Sequence, residues 1–159
     1  MSTQAPNTVE ERLAEIGITL PEAGGVAGNY APYTISQNQV FISGQVPVTS
    51  GGLQFQGKLG AEFSVEEGQA AAQLCAINII AQLKAACDGD LGRVKACVKL
   101  GGFVNCTPDF GDHPAVINGA SDLMVAAFSE KGRHARFAVG ATSLPFNVAV
   151  EVDAIFEID

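Results

Sequence analysis

The segment that begins at Ser64 constrains the fold most, because it has the marks of a long, capped and amphipathic helix. Glu67 follows Ser64 after three residues, which is the spacing of a capping box. Gly89 lies where such a helix commonly ends. Between them, apolar residues recur at helical spacing, namely at Ala72, Ala76, Ile79, Ile80, Leu83 and Cys87. A helix with one apolar stripe has to bury it, so a second layer of structure is expected to pack against it.

The other apolar patterns follow the order β-β-(β)-α-β-α-β-β. The predicted strands are 33–36, 39–45, 94–105, 136–141 and 148–156, with a short edge strand or an extended loop over 53–59. A second long helix is predicted from near Pro114 to Gly132, a short helix over 9–16, and disorder over residues 1–8. A mixed sheet with both long helices on one face satisfies this order. The other face would be bare, so we expect oligomerisation to cover it.

The last two predicted strands bear the most informative charges. Arg136 shares one face of its strand with Ala138 and Gly140, and Glu151 lies on the polar face of the next strand. A hairpin centred at 143–144 would place Arg136 directly opposite Glu151, whereas a centre two residues later would separate them along one face. In both registers the small residues leave room for a carboxylate and a water molecule. The alternative interpretation is an ordinary cross-strand salt bridge.

Charge and cysteine spacing exclude several classes of function. Seventeen acidic and nine basic residues give a net charge of −8, which argues against nonspecific nucleic-acid binding and against an anionic membrane partner. No apolar run reaches the roughly 18–20 residues of a membrane span, and no signal peptide is apparent, so a cytoplasmic location is expected. The four cysteines form no C-x-x-C pair, and both histidines lie far in sequence from any pair of cysteines. We therefore expect no metal site and no disulfide framework.

Further motifs, taken together with Arg136, form a recognisable set. They are Ala31-Pro32-Tyr33, Ser43-Gly44-Gln45-Val46-Pro47, Phe103-Val104-Asn105, Asn118, Ala135-Arg136, Leu144-Pro145 and Val150-Glu151-Val152. Together they resemble the reactive-intermediate deaminase family (Rid, or YjgF-like), which an older name calls endoribonuclease L-PSP. The resemblance extends over 30–156, and its most specific part is the spacing between Arg136 and Glu151.

The resemblance implies an α+β, chorismate-mutase-like fold whose subunits form a homotrimer around a central barrel, with ligand sites in the clefts between subunits. It divides the chain into an N-terminal extension with a short helix over 1–29 and a single Rid-like domain over 30–159. By resemblance, Arg136 clamps the carboxylate of the substrate and Glu151 holds or activates the attacking water. The implied substrate-binding residues are Tyr33, Gly44, Asn118 and Ala138.

The implied reaction is the cofactor-independent hydrolysis of small 2-imino or enamine acids to 2-keto acids and ammonia. Two positions depart from the family pattern: Ala138 stands where many deaminases have a cysteine, and His134 stands where a proline is usual. The missing thiol favours an alternative function, a non-catalytic trimeric binder or sensor of small carboxylates. A ribonuclease, as the older name suggests, is disfavoured by the net charge of −8 and by the lack of a suitably placed histidine pair.

Overall fold

A computed structural model of the protein describes residues 8–159. The disorder predicted for residues 1–8 therefore lies outside the described residues, except at Thr8. Thr8 is the N-cap of α1 (Val9–Glu15), and it exchanges capping-box hydrogen bonds with Glu11. Because Thr8 has this defined structural role, the prediction of disorder is wrong at that residue.

The structure has the α+β composition that the sequence predicts. After α1 come β1 (Tyr33–Ser36), β2 (Gln39–Gln45), β3 (Val48–Thr49), β4 (Gly52–Leu53), α2 (Val65–Ala86), β5 (Val94–Asn105), α3 (His113–Phe128), β6 (Ala135–Ala141) and β7 (Val150–Ile158). The segment predicted as an edge strand or loop over 53–59 is mostly loop, since only Leu53 belongs to a strand. Within residues 8–159, no helix is long and apolar enough to cross a membrane.

The local signals of α2 act as the sequence indicates. Ser64 is its N-cap, and the side chains of Ser64 and Glu67 each bond the backbone N–H of the other residue. The chain leaves the helix through Asp88 and Gly89, both with positive φ, a conformation that glycine adopts without strain. All six residues of the predicted apolar stripe are fully buried. The stripe therefore forms the centre of the core between the helices and the sheet.

The order of the strands in the sheet differs from the prediction. The five-stranded sheet has the order β1-β2-β7-β5-β6, in which β5 pairs with β7 on one side and, in parallel, with β6 on the other. The hairpin predicted between the last two strands is therefore wrong. Helix α3 forms the crossover from β5 to the parallel strand β6, and the chain then returns across β5 to form β7.

The two faces of the sheet have different surroundings. Helices α2 and α3 pack on one face, as predicted, and α1 contacts α3. On the opposite face, called here the open face, large apolar side chains remain partly exposed, among them Phe41 at 39% and Phe103 at 38%. An exposed apolar patch of this kind is typical of a surface that another chain covers. Oligomerisation through the open face remains a prediction.

Candidate functional site

Arg136 and Glu151 lie on opposite faces of the sheet. Arg136 is aligned with Leu100 and, through it, with Ala154, and both of these residues belong to the buried core on the helix side. Glu151 is instead aligned with Phe103 on the open face. The prediction that the two charges share one face is wrong because β5 separates their strands. The same geometry excludes the alternative, a salt bridge between them within one chain.

A chain of hydrogen bonds holds the guanidinium of Arg136 against α3. Its Nη2 donates to the carbonyl of Pro114 over 3.1 Å, and its Nη1 donates to Ser121 Oγ over 3.0 Å. Ser121 Oγ also lies 2.8 Å from His134 Nε2, and His134 Nδ1 lies 2.6 Å from the carbonyl of Gly132. A carbonyl can only accept, so Nδ1 of a neutral His134 donates to it and Nε2 accepts the Ser121 hydroxyl proton. His134 thus fixes the guanidinium through Ser121.

Two further predicted site residues lie beside Arg136. Asn118 follows Pro114 by four residues and precedes Ser121 by three, so all three occupy the face of α3 that meets the guanidinium. The Asn118 side chain is exposed there. Ala138 is two residues beyond Arg136 on the same face of β6. We call this group between α3 and β6 the arginine cleft.

Glu151 belongs to a different cavity, which has a volume of about 810 Å³. Its apolar walls include Val26, Val46 and Phe146, and the charged residues that line it in the described chain are Glu22 and Glu151. A wall of the cavity is formed by the segment 21–30, which precedes β1. We call this space the glutamate pocket. Its volume is that of a typical small-molecule site.

Gly44 determines where the carboxylate of Glu151 lies. A β-bulge interrupts the pairing of β2 with β7 between Ile42 and Gln45. A Cβ on Gly44 would collide with Glu151 Oε1 and lie 3.1 Å from its Cδ, so only glycine leaves this position to the carboxylate. Burial raises the pKa of Glu151, and the nearby charge of Asp153 raises it further. A carboxylate with a raised pKa is a better proton acceptor near neutral pH.

Tyr33 lies far from Arg136 within one chain. The alignment of Tyr33 with Ile42, Ile42 with Ala154, Ala154 with Leu100 and Leu100 with Arg136 places all five residues in one row across the sheet. The two ends of the row are four strand spacings apart, or about 19 Å. One chain therefore brings Arg136, Asn118 and Ala138 together, and separately Glu151 and Gly44, with Tyr33 at the other edge of the sheet.

Two parts of these sites were missed by the sequence analysis. Ser121 is one, and its only signal is the helical spacing of three residues from Asn118. The other is the wall formed by 21–30, which has no periodic pattern. Gln82, almost fully buried in α2, donates its Nε2 to the carbonyl of Gly24 over 2.8 Å and so holds this wall in place. A glutamine on the core side of a helix is the signal that points to such a bond.

No metal centre accompanies either site in the described part of the chain. Among residues 8–159 there is no group of three or more His, Cys, Asp or Glu side chains that could hold a metal ion. The side chains that the two sites do provide are a cation fixed by hydrogen bonds and a partly buried carboxylate. The first is suited to binding an anion and the second to accepting a proton.

Comparisons with known proteins agree with this fold. A sequence profile of the YjgF/chorismate mutase-like endoribonuclease family matches residues 10–158. Protein TCP17 of Trypanosoma cruzi is 49% identical over 160 residues, which cover 100% of this chain and 99% of the relative. The crystal structure of Atu1372 from Agrobacterium tumefaciens, a protein of unknown function, is 51% identical with a TM-score of 0.90 over 95% of this chain and 92% of its own. RidA of the Antarctic bacterium Psychrobacter sp. is 29% identical with a TM-score of 0.59, over 86% and 94% of the two chains.

Proposed function

Since the chain belongs to the YjgF/chorismate mutase-like family, we propose that it hydrolyses small 2-imino or enamine acids to 2-keto acids and ammonia. The observation that supports this most is the fixed guanidinium of Arg136, which Pro114 and Ser121 orient in the arginine cleft. A planar guanidinium can make two parallel hydrogen bonds to a carboxylate, which lysine cannot do. Such a clamp would hold the C=N carbon of the substrate in one place.

The hydrolysis needs only a held substrate and an activated water. Glu151 accepts a proton from the water as its oxygen forms a bond to the imine carbon, and the electron pair of the C=N bond moves to the nitrogen. Glu151 returns this proton to the nitrogen, then takes the hydroxyl proton of the tetrahedral adduct and passes it to the same nitrogen, so that ammonia leaves and the C=O group of the 2-keto acid forms. Positioning of the two reactants accounts for much of the acceleration, because the reaction becomes effectively unimolecular. Every step uses side chains of the protein itself.

A second subunit has to complete this site. Arg136 and Glu151 face opposite sides of their own sheet, and Tyr33 lies about 19 Å from Arg136 across four strand spacings. We propose a homotrimer in which the arginine cleft of one chain meets Glu151, Gly44 and Tyr33 of the next. The partly exposed apolar residues of the open face support an assembly of this kind. We place the protein in the cytoplasm, where its four free cysteines would stay reduced.

Ala138 favours a second candidate function, in which the protein binds small carboxylates without turning them over. Its methyl group offers no thiol to the ligand, and only its backbone could contact a carbonyl or imine. A binder of this kind would use the same Arg136 clamp. Binding of 2-ketobutyrate, measured by calorimetry, together with an absence of imine hydrolysis, would identify it.

The test measures ammonia release from imines that an amino-acid oxidase generates in the assay. We expect Arg136→Lys to lower the rate at least about tenfold, because the charge is kept but the two-pronged geometry is lost. The matched control is Arg133→Lys, since Arg133 is an exposed residue of the same region that pairs with Glu130 at the surface. An Arg136→Lys variant as fast as the parent would contradict the proposal.

A further inference from the structure

Cys106 and His113 lie side by side where α3 begins. The distance from Cys106 Sγ to His113 Nε2 is 3.4 Å, which is a hydrogen bond for sulfur. The His113 ring meets Phe110 edge-on, with 5.3 Å between the ring centroids. The other three cysteines, Cys75, Cys87 and Cys97, are buried, whereas Cys106 is partly exposed. A thiol within reach of an imidazole is the arrangement of an activated nucleophile and its base.

Gly140 lies against the Cys106–His113 pair and has no side chain to cover it. A Cβ at Gly140 would lie 2.6 Å from His113 Nε2 and 2.9 Å from Cys106 Sγ, closer than real Cβ contacts allow. Gly140 itself is exposed and belongs to β6, an edge strand of the sheet. The thiol and the imidazole are therefore separated from the surface by a residue without a side chain.

The pair also borders the arginine cleft. Gly140, Ala138 and Arg136 alternate along one face of β6. The Arg136 guanidinium bonds the carbonyl of Pro114, the residue that follows His113 in the first turn of α3. A cation, an imidazole and a thiol thus line one strip between α3 and β6. An electrophile that bears a carboxylate matches this set of groups.

We propose that Cys106 and His113 form a nucleophile–base pair that reacts with small electrophiles bearing a carboxylate. The carboxylate preference rests on the anion-binding role of Arg136 in the proposed function, while the reactivity of the pair does not. The thiol proton passes to His113 Nε2 as the sulfur forms a bond to the electrophilic carbon. With a C=N or C=O group the π electron pair moves to the nitrogen or oxygen, which then takes the proton from His113. The adduct forms reversibly without any oxidant or co-reactant.

Two alkylating reagents of nearly equal size test the pair in the full-length protein. Iodoacetate bears a carboxylate and iodoacetamide is its neutral counterpart; both transfer a carbon to sulfur with loss of iodide. We expect peptide mapping to find the label at Cys106, at a rate at least about tenfold above that of N-acetylcysteine at the same pH. His113→Gln should slow both reagents about tenfold or more, because the proton acceptor is lost. The buried Cys75, Cys87 and Cys97 should stay unlabelled in each variant, which shows that the variant is folded.

The contribution of Arg136 appears in the ratio of the two rates. In Arg136→Gln we expect the labelling rate with iodoacetate, divided by the rate with iodoacetamide, to fall at least about twofold. A unit positive charge about 10 Å from the carboxylate of the reagent in a well-solvated cleft stabilises that carboxylate by an amount of this size. Arg133→Gln serves as the control for the loss of a cation at the exposed surface, where Arg133 pairs with Glu130, and should leave the iodoacetamide rate within about twofold.

Three results would overturn the inference in whole or in part. Labelling of Cys106 no faster than N-acetylcysteine, or equal rates in the parent and in His113→Gln, would rule out the nucleophile–base pair. An unchanged rate ratio in Arg136→Gln would rule out the preference for a carboxylate. The proposed function is judged separately, because the imine assay of Arg136→Lys does not depend on the thiol.

Discussion

Gly44 and Glu151 show how a single residue without a side chain can place a functional group. The carboxylate of Glu151 occupies the space where any other residue at position 44 would have its Cβ. The bulge in β2 brings the backbone of Gly44 to this point. The role proposed for Glu151 as a proton acceptor therefore depends on the absence of a Cβ atom at Gly44.

We predict that Gly44→Ala lowers imine hydrolysis at least about tenfold with little loss of stability. The new methyl group would push the flexible end of Glu151 away, which costs the fold little but displaces the proton acceptor. Steady-state kinetics and a thermal melt of the same sample would separate the two effects. Gly51→Ala is the matched control, because the nearest atom to its Cβ would be Thr49 Oγ1 at 3.5 Å. Equal activity of Gly44→Ala and the parent would show that the position of Glu151 is unimportant.

At the scale of elements, the contact between α2 and α3 depends on a close approach at Gly119. A Cβ there would collide with the carbonyl oxygen of Gln69 and lie 2.8 Å from its carbonyl carbon. The Gln69 side chain also donates to the carbonyl of Ala115 over 2.8 Å, which ties the two helices together at this point. Since Gln69 meets this Cβ with backbone atoms, a side chain at position 119 can be accommodated only if the helices move apart.

We expect Gly119→Ala to lower the free energy of unfolding by about 2–3 kcal/mol, measured by urea denaturation. In an isolated helix, replacing glycine by alanine would stabilise the helix by up to about 1 kcal/mol. The sign of the measured change in unfolding free energy therefore tests whether α2 and α3 make this close contact. Asp122→Ala, at an exposed position of the same helix, should change stability by no more than about 0.5 kcal/mol. A Gly119→Ala protein more stable than its parent would disprove the close approach.

The elements could be predicted from the sequence because their signals are local. Ser64 and Glu67 cap α2 from within four residues, and the strand predicted over 94–105 has the bounds of β5. Strand order depends on long-range packing, since α3 crosses over the sheet between β5 and the parallel strand β6, and no local pattern distinguishes that crossover from a hairpin. For the same reason the sequence named Arg136 and Glu151 but assigned them to one face. The wall of the glutamate pocket is held by a tertiary hydrogen bond from Gln82, and a core-side glutamine indicates such a bond without identifying its partner, the carbonyl of Gly24.

At the scale of the whole molecule, the main feature is the open face, where a single chain leaves large apolar side chains partly exposed. Phe103 and Phe137 meet edge-on there with 5.3 Å between the ring centroids, and Phe41 and Val139 are also partly exposed. Isolated apolar residues are common on protein surfaces, but several on one sheet face favour contact with other chains. The same face bears Glu151. In the proposed trimer, the contact that covers the open face therefore also completes the site around Glu151.

We predict that light scattering of the native protein gives three times the 16.4 kDa mass of the chain. Phe41→Asp should lower this mass, because a charge buried among apolar side chains costs several kcal/mol. Ile16→Asp is the control, since Ile16 is 51% exposed and follows α1, away from the sheet. A native mass of one chain, or an assembly unaffected by Phe41→Asp, would contradict the trimer.

The position of Arg136 and Glu151 on opposite faces of the sheet has a genetic consequence. In the proposed ring, each cleft takes its cation from one copy and its acid from the next. Two alleles, one without Arg136 and one without Glu151, would each encode an inactive protein. Expressed together, they would form mixed rings of two copies of one kind and one of the other, and each such ring would contain one cleft with both groups intact.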